Sequence, residues 1–401
     1  MAMLTHHDDA VSTQAQTRKP KFRVAPDNVR QFIAEMFGRD MHATRVLSLA
    51  NGVIGAIHAV ALSIHAIGLG LAMATGLNAK HTIKQVDRLL SNTNLLMRDV
   101  FRTWVPFVIG KRLEAVVALD WTAFDADDHA TIALHLITSH GRATPLMWKT
   151  HEKSTLAKHR NAYEDELLRQ FREILPPSVR AILLADRGFG DQALYTALTD
   201  AHIDFVIRFR GNIHVTSATG ETRTAAGWVP SNGKARKIVA ARITHEKTPV
   251  AAVVCVKARR MKEPWCLATS LGKRAAAAIV KLYGRRFSIE ENFRDTKDLR
   301  FGMGLSSTHI GPCERRDRLL PIGALSQALL TLLGAAAEDA GLDRTMKANT
   351  VKRRTHSLFR QGCFWYACIP NMHQERFELL MRSFERIVAE HAVFQQIFGF
   401  I

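Results

Sequence analysis

The chain has 401 residues, of which 47% are hydrophobic and 23% are charged, so it is long enough to form more than one folded domain with a large core. Its 55 lysine and arginine residues outnumber 37 aspartate and glutamate residues and give a formal net charge of +18, which favours nucleic acid or another polyanion as its partner. The five cysteines form no C-x2-C pair and have no histidines at metal-ligand spacing, which argues against a zinc site and a disulfide framework.

Neither an export signal nor a membrane span is predicted. Residues 1–25 are polar and then basic and lack the apolar core of a signal peptide, so we expect a mobile basic tail. The stretch Val46–Ala79 contains no Asp, Glu, Lys or Arg, but five glycines and several polar side chains interrupt it, so it is not expected to cross a membrane. The run Ile322–Ala337 is shorter and is expected as a buried helix. We therefore expect a cytoplasmic protein with no membrane partner.

Residues 26–109 are predicted to form an all-helical domain, because apolar residues recur every three to four positions. Within it, the order of a helix over Ile64–Leu71, a glycine-containing break and a second helix over Lys80–Leu90 is typical of a helix-turn-helix motif. Basic side chains of the second helix are then placed to face a DNA groove: Lys80, Lys84 and Arg88. An ordinary helical hairpin with a solvated basic face explains the same pattern.

Residues 110–212 change to a strand pattern and then alternate between strands and helices. Apolar runs ending near Asp120, Thr138, Thr150, Asp186 and Arg210 predict five strands, and amphipathic stretches over 161–175 and 190–201 predict two helices. Strands arranged first as hairpins and then in alternation with helices indicate a mixed sheet covered by helices. This is the outline of an RNase-H-like core.

The remaining segments are expected to divide and then complete this core. Residues 213–271 are rich in Thr, Val, Gly and Lys and predict a β-rich insertion, whereas helical periodicity returns over 272–312 and continues through a C-terminal helical domain, 313–401. The predicted fold class is thus α/β, an RNase-H-like mixed sheet with a β-rich insertion, flanked by N-terminal and C-terminal helical domains.

Two acids are candidates for chemistry because each ends an apolar, strand-like run. Asp120 and Asp186 belong where open α/β sheets place their ligands, at the carboxyl ends of strands. Neighbouring strands would bring both carboxylates to one edge. An acid in this position also commonly caps a turn, so each residue alone is a weak signal.

A third acid comes from the segment LYGRRFSIEENFRDTKDLR. At about 100° per residue, Tyr283, Arg286, Glu290 and Lys297 fall in one narrow stripe beside the apolar face of a helix. The stripe combines an acid, two cations and a phenol. Three further acids of this segment are expected on its solvated face: Glu291, Asp295 and Asp298.

Three carboxylates at one sheet edge suit two Mg²⁺ ions, for which Mn²⁺ can substitute, because hard cations prefer carboxylate and phosphate oxygens. Such a pair activates water or a 3′-hydroxyl for in-line displacement at a phosphodiester. Arg286 and Lys297 would then hold phosphates of the same nucleic acid.

The spacing Y-x2-R-x3-E-x6-K resembles the YREK signature of DDE transposases from bacterial insertion sequences. The similarity extends along the chain, in family order, and favours the hairpin-forming, cut-and-paste branch. It is carried by the segments KHTIKQVDRLLSN, AVVALDW, LLADRGFGD, EPWCLATS and IEENFRDTKD.

This resemblance implies a role for each matching residue. Asp120, Asp186 and Glu290 would form the metal-binding triad, and three signature residues would contact the DNA backbone near the cleaved end: Tyr283, Arg286 and Lys297. The resemblance also implies a bacterial, nucleoid-associated enzyme whose N-terminal domain reads terminal inverted repeats. Its C-terminal helices would pair two protomers in a synaptic complex.

Trp265 is implied to stack on a base that is flipped out of the duplex while a hairpin forms. The alternative is a core tryptophan in a β-rich segment. Relatives often carry a second tryptophan directly after the signature arginine, where this chain has Phe287, so no second tryptophan contact is expected there.

Two basic clusters near the C-terminus have two interpretations, phosphate contacts or solvated helix faces. They are Arg315, Arg316 and Arg318, and then Lys352, Arg353 and Arg354.

The sequence therefore predicts a transposase that cuts at the ends of its element and joins the 3′ ends to target DNA. One alternative is a metal nuclease of the same fold that cleaves without joining. Another is a DNA-binding regulator derived from a transposase, against which the intact acids and signature cations argue.

Overall fold

The computed structural model describes residues 25–389, which form twelve α-helices and ten strands. The expected basic tail therefore lies outside the described residues except for Ala25. The first five helices confirm the helical character of the N-terminal segment. They are α1 Pro26–Phe37, α2 Ala43–Ala59, α3 Ile64–Thr75, α4 Ala79–Ser91 and α5 Met97–Ile109.

The predicted helix-turn-helix segment is present as α3 and α4. The Ser63 hydroxyl accepts a hydrogen bond from Ala66 N at the start of α3, and Asn78 caps α4 in the same way through Lys80 N. Between them Gly76 ends α3 at φ +72°, a left-handed conformation that glycine adopts without strain. Local capping chemistry thus fixes the break that the sequence pattern indicates.

All ten strands belong to one mixed sheet, in the order β3-β2-β1-β4-β5-β10-β9-β8-β6-β7. The strands β1, β4 and β5 pair in parallel and the other neighbours pair antiparallel. With helices packed against both faces, this is the α/β, RNase-H-like fold that the sequence predicts. The core strands are β1 Glu114–Phe124, β2 His129–Ile137, β3 Ala143–Glu152, β4 Arg180–Ala185 and β5 Asp204–Phe209.

Strands of the β-rich segment continue this sheet. β10 pairs antiparallel with β5, so that Cys266 lies opposite Phe209, and the other four strands follow on its far side. Two of them have only three residues each, too few to show a periodic pattern in the sequence. The strands are β6 His214–Thr216, β7 Thr222–Thr224, β8 Arg236–Ile243, β9 Thr248–Val256 and β10 Trp265–Thr269. A separate inserted unit stays a prediction.

The segment that carries Glu290 is not one continuous α-helix. It consists of α8, Ala276–Gly284, a 3-10 turn over Arg285–Phe287 and α9, Ser288–Lys297. A 3-10 turn advances by about 120° per residue instead of 100°, so the single stripe drawn from Tyr283 to Lys297 is displaced at the turn. The sequence prediction of one helical stripe is wrong in this respect.

Helices cover the two faces of the sheet with different sets of strand residues. Val116, Ala118 and Leu184 pack in a cluster with α8 and α9, whereas Val117 and Leu119 face the other cluster, to which α6 contributes. This alternation follows from the period of two along a strand. The helices on these faces include α6 Leu156–Ile174 and α7 Gln192–Asp200.

The helix α10, Cys313–Asp339, runs through the centre of the helical part, and α11, Leu358–Cys368, and α12, Gln374–Ala389, pack against it. Every residue from Pro321 to Ala337 is buried, which confirms the expected buried helix. Among the described residues it is the one single helix long and apolar enough to cross a membrane, and 94% of its apolar window is buried inside the structure; α2 and α3 pass the same test only as a pair bent by 92°.

Candidate active site

The two strand acids lie side by side. In the parallel ladder between β1 and β4, Leu119 pairs with Ala185, so Asp120 and Asp186 are the next residues on neighbouring strands, which are about 4.8 Å apart in a sheet. Asp120 lies two residues after Ala118, and Asp186 lies two residues after Leu184. Ala118 and Leu184 face α8 and α9. Period-two alternation therefore directs both carboxylates to the face that carries Glu290.

The strand boundaries differ between the two acids. Asp186 follows the last residue of β4, as predicted, and its Oδ1 accepts a hydrogen bond from Gly188 N at 2.7 Å. Asp120 lies inside β1. This strand continues past Asp120 to Phe124 because its pairing with β2 extends that far. The expected position of Asp120 at a strand end is thus wrong for β1 as a whole, although Asp120 is the first residue past the parallel ladder with β4.

Arg286 joins the third acid, Glu290, to Asp120. Its Nη1 donates to Asp120 Oδ2 at 3.0 Å, and its Nη2 donates to Glu290 Oε1 one turn along the chain. The arginine is only 5% exposed. One guanidinium therefore bonds to a carboxylate on β1 and to a carboxylate on α9. Arg286, which is predicted to contact DNA, holds two of the predicted acids in this conformation.

Burial raises the pKa of Asp120 from 3.8 to about 6. The Arg286 charge opposes this rise, whereas the charges of Asp186 and Glu290 add to it. The effect of the last two on Asp120 shows that the three acids share one electrostatic environment. A second positive charge at this edge would therefore favour the ionised form of Asp120.

The donor set fits a hard divalent cation, because it consists of three carboxylates on one electrostatically coupled edge. Within residues 25–389, however, no group of three or more His, Cys, Asp or Glu side chains is already arranged as a metal site. Arg286 supplies the positive charge between Asp120 and Glu290 instead. The residues thus match Mg²⁺ or Mn²⁺ in chemistry, and the carboxylates of Asp120 and Glu290 are held by the Arg286 guanidinium in this conformation.

Three aromatic rings pack together near the site, and one of them lies against Arg286. Tyr283 is 1% exposed and packs edge-on against Trp265, with ring centres 5.0 Å apart, and burial raises the pKa of Tyr283 to about 12. Phe287 is 40% exposed and lies 6.0 Å from Trp265, while Arg286 Cζ is 4.8 Å from the centre of the Phe287 ring. Trp265 is thus partly exposed, between a buried phenol and an exposed phenyl ring.

Lys297 lies against β1. Its Nζ donates to Thr122 Oγ1 at 3.0 Å and to Ala123 O at 2.6 Å, and it lies 4.7 Å from the centre of the Phe124 ring. Burial lowers the pKa of this ammonium group. The signature lysine therefore joins the end of α9 to the strand that carries Asp120, and its predicted contact with DNA stays a prediction.

The basic residues predicted to face a DNA groove are exposed on α4. Lys80, Lys84 and Arg88 point away from the buried side of the helix, and Arg88 lines a surface groove together with His81 and Gln85. No described contact joins this face to the acids of the sheet edge. The structure thus places two separate groups of predicted site residues, one on α4 and one around Asp120.

Two expectations about charged side chains are wrong. Arg316 is 0% exposed and pairs with Asp127 and His129, so it is neither a phosphate contact nor part of a solvated helix face. Asp295 is also buried and pairs with Arg142 Nε at 2.7 Å, whereas the sequence pattern put it on the solvated face of α9. In both cases the partner is more than 150 residues away in the chain.

The other basic residues of the C-terminal clusters differ among themselves. Arg315 bonds to Asp87 and Arg318 bonds to Leu90 O, so both join α10 to α4. Lys352, Arg353 and Arg354 are all exposed, and Arg354 pairs with Glu338.

Sequence reasoning missed one cluster at the same sheet edge. Trp121 Nε1 donates to Glu164 Oε1 at 2.7 Å, and Arg160 Nε donates to the same oxygen at 3.0 Å. The spacing of four residues between Arg160 and Glu164 on an amphipathic helix was the available signal, but it did not indicate proximity to Asp120.

Residues 111–310 match the family model described as the transposase DDE domain. The match begins shortly before β1 and ends after α9, so it contains the neighbouring strand acids and Glu290. No curated protein sequence matches the chain significantly. About half of the chain, the part that carries all three predicted acids, is thus a DDE transposase domain.

Proposed function

We propose that the protein is a DNA transposase that binds terminal inverted repeats, excises its element by Mg²⁺-dependent nicking and hairpin formation, and joins the 3′ ends to target DNA. The observation that carries this proposal is the position of Asp120 and Asp186 at corresponding points of neighbouring parallel strands, with Glu290 joined to Asp120 through Arg286. These residues lie within the matched transposase DDE domain.

The chemistry is phosphoryl transfer without a covalent enzyme intermediate, in which positioning and charge neutralisation do most of the work. Asp120, Asp186 and Glu290 would hold the divalent ions, which when bound supply an activated oxygen nucleophile and stabilise the leaving oxygen. Arg286 orients two of the carboxylates before DNA binds. Its guanidinium also lies directly at the carboxylate edge on the α9 side, where a scissile phosphate would lie.

The aromatic pair Trp265 and Phe287 supports the hairpin step. Both rings are partly accessible, and Phe287 lies against Arg286. The buried Tyr283 ring packs edge-on against Trp265. A base stacked on an aromatic side chain gains about 1–3 kcal/mol. This gain would offset part of the cost of flipping a base out of a strained hairpin end.

The remaining parts of the chain are assigned to DNA binding and assembly. The helical segment 26–109, with Lys80, Lys84 and Arg88 exposed on α4, would bind the element ends. The helices from residue 313 onward would pair two protomers in the synaptic complex. We propose that the enzyme acts in the bacterial cytoplasm, at the nucleoid, where its +18 net charge would favour association with DNA.

The proposal is tested with purified protein, Mg²⁺ and a duplex that carries the inverted repeat flanking the gene, with products sized on a denaturing gel. We expect nicks at the element end, then hairpins, and then joined products when target DNA is added. Asp120→Asn and Glu290→Gln should abolish nicking and leave end binding nearly unchanged. Glu291→Gln, a neighbouring acid that pairs with Arg294, is the matched control and should cut normally.

Two results would contradict the proposal. Undiminished nicking by both Asp120→Asn and Glu290→Gln would exclude the triad. Cut ends that are never joined, under conditions in which target DNA is present, would identify a metal nuclease of the same fold instead.

A further inference from the structure

An arginine on α6 approaches the sheet edge from the face opposite α9. Arg160 Nε donates to Glu164 Oε1 at 3.0 Å, and that oxygen also accepts a hydrogen bond from Trp121 Nε1 at 2.7 Å. Glu164 is 5% exposed, whereas the Arg160 side chain is 44% exposed. A buried carboxylate therefore fixes the orientation of a guanidinium that is itself open to solvent.

The aromatic neighbours of Arg160 come from the residues that follow the two strand acids. Its Cζ lies 5.4 Å from the centre of the Trp121 ring and 5.7 Å from that of Phe189. Trp121 directly follows Asp120, and Phe189 lies three residues after Asp186. The guanidinium thus contacts both chain segments that leave the carboxylate edge.

The surroundings of Gly188 show that Arg160 lies close to Asp186. A Cβ atom on Gly188 would lie 3.0 Å from Asp186 Oδ1 and 3.7 Å from Arg160 Nη2. The Asp186 carboxylate and the Arg160 guanidinium therefore lie on two sides of the small space next to Gly188. A phosphate oxygen near Asp186 would lie within reach of Arg160.

Other cations of this edge are already engaged with acceptors in the protein. Arg286 is bonded to Asp120 and Glu290, and Lys297 is bonded to β1. Arg187 and Arg208 both pair with Glu263. Within the part of the chain that the structure describes, by contrast, the Nη1 and Nη2 groups of Arg160 have no hydrogen-bond acceptor.

We infer that Arg160 binds a phosphate of the DNA strand that lies at the Asp120–Asp186 edge, through the two Nη groups that Glu164 leaves unused. This inference rests on the proposed function in that DNA is the ligand. A guanidinium offers two parallel N–H groups that match phosphate oxygens, and its orientation by Glu164 and Trp121 reduces the entropy cost of binding.

An ordinary exposed ion pair is the alternative, because Arg160 and Glu164 have helical i,i+4 spacing. Such pairs contribute little. The same helix contains an example in Arg169, which pairs with Glu166 and Glu173 and has both partners about half-exposed. Arg160 differs because its partner is buried and shared with Trp121, so Arg169 provides a matched control.

The test compares Arg160→Gln, Arg160→Lys and Arg169→Gln for binding to the inverted-repeat duplex in EDTA. Removal of a charged hydrogen bond to phosphate should weaken binding by about tenfold, and should lower the slope of log K against log salt by about one. We expect both changes in Arg160→Gln, recovery of the slope with partial recovery of affinity in Arg160→Lys, and neither change in Arg169→Gln. Thermal unfolding of each variant checks that the fold is retained.

Single methylphosphonate substitutions locate the contact. The wild type should lose affinity at one backbone position near the cleavage site, and Arg160→Gln should be insensitive to that same substitution. Equal sensitivity of both proteins at every position, equal effects of Arg160→Gln and Arg169→Gln, or no binding of DNA at all would overturn the inference. DNA binding is measured without metal ions, so this test does not depend on cleavage. If Asp120→Asn cut DNA normally, the cleavage proposal would fail and the result for Arg160 would still hold.

Discussion

The two regions that carry the predicted DNA-binding cations differ in how those cations are placed. On α4, Lys80, Lys84 and Arg88 are exposed. Around α9, Arg286 is 5% exposed and bonded to two acids, and Lys297 is half-buried against β1. Exposed cations favour DNA through counterion release, whereas buried cations organise the carboxylates beside them. A basic residue in a recognisable motif is therefore not, by position alone, a DNA contact.

The largest effect that separates the two regions is expected from Arg286→Ala. It leaves Asp120 and Glu290 without their shared cation, so we expect nicking to fall at least about 100-fold, and the free energy of unfolding in EDTA to fall by about 2–3 kcal/mol. Added Mg²⁺ should restore part of that stability. Arg294→Ala, which removes an exposed partner of Glu291, is the control. Equal stability of the two variants would show that Arg286 does not organise the site.

The salt dependence of DNA binding distinguishes the regions directly. Replacing Lys80, Lys84 and Arg88 together by Gln should lower the slope of log K against log salt by about 0.9 for each phosphate that these side chains neutralise. Lys297→Met should leave the slope unchanged and lower the stability by about 1 kcal/mol, because its Nζ bonds to Thr122 and Ala123. A reduced slope in Lys297→Met would mean that this lysine turns outward to bind DNA.

A smaller effect is expected from the aromatic surface. Trp265→Ala should slow hairpin formation by about tenfold, an effect in the range of one base-stacking interaction, and should slow the first nick much less. Phe287→Ala should have a smaller effect of the same kind, because Phe287 lies beside Trp265. Time courses that resolve nicked and hairpin products measure both steps. Equal slowing of the two steps would favour a packing role for Trp265.

A further effect concerns the pH dependence of stability. The pKa of Asp120 in the folded protein, about 6, lies above its ordinary value of 3.8, so ionisation of this group lowers stability as the pH rises between these values. We expect Asp120→Asn to stabilise the metal-free protein by about 2 kcal/mol at pH 7.5 and to have little effect at pH 4. Urea unfolding at both pH values measures this difference. An equal gain in stability at both pH values would show that burial does not disfavour the ionised form of Asp120.

Sequence reasoning was sufficient where the signal is local. Apolar runs located the strands that carry Asp120 and precede Asp186, and a glycine marked the break between α3 and α4. The 3-10 turn at Arg285–Phe287 was not predicted, because the helical wheel assumes a constant rotation per residue. The three-residue strands β6 and β7 were too short to show a period.

Pairing between distant segments could not be predicted from the sequence. Burial of Arg316 and Asp295 depends on partners in other elements, Asp127 and Arg142, which only the folded sheet brings near. The same limitation concealed Arg160, since its position beside the acids follows from the way α6 lies across the sheet edge.

The central claim is that the carboxylates of Asp120, Asp186 and Glu290 bind divalent ions together, and calorimetric titration with Mn²⁺ tests it most directly. We expect the wild type and Glu291→Gln to bind Mn²⁺ alike, and Asp120→Asn, Asp186→Asn and Glu290→Gln each to weaken binding by about tenfold or more. Unchanged Mn²⁺ affinity in all three single variants would contradict the shared site.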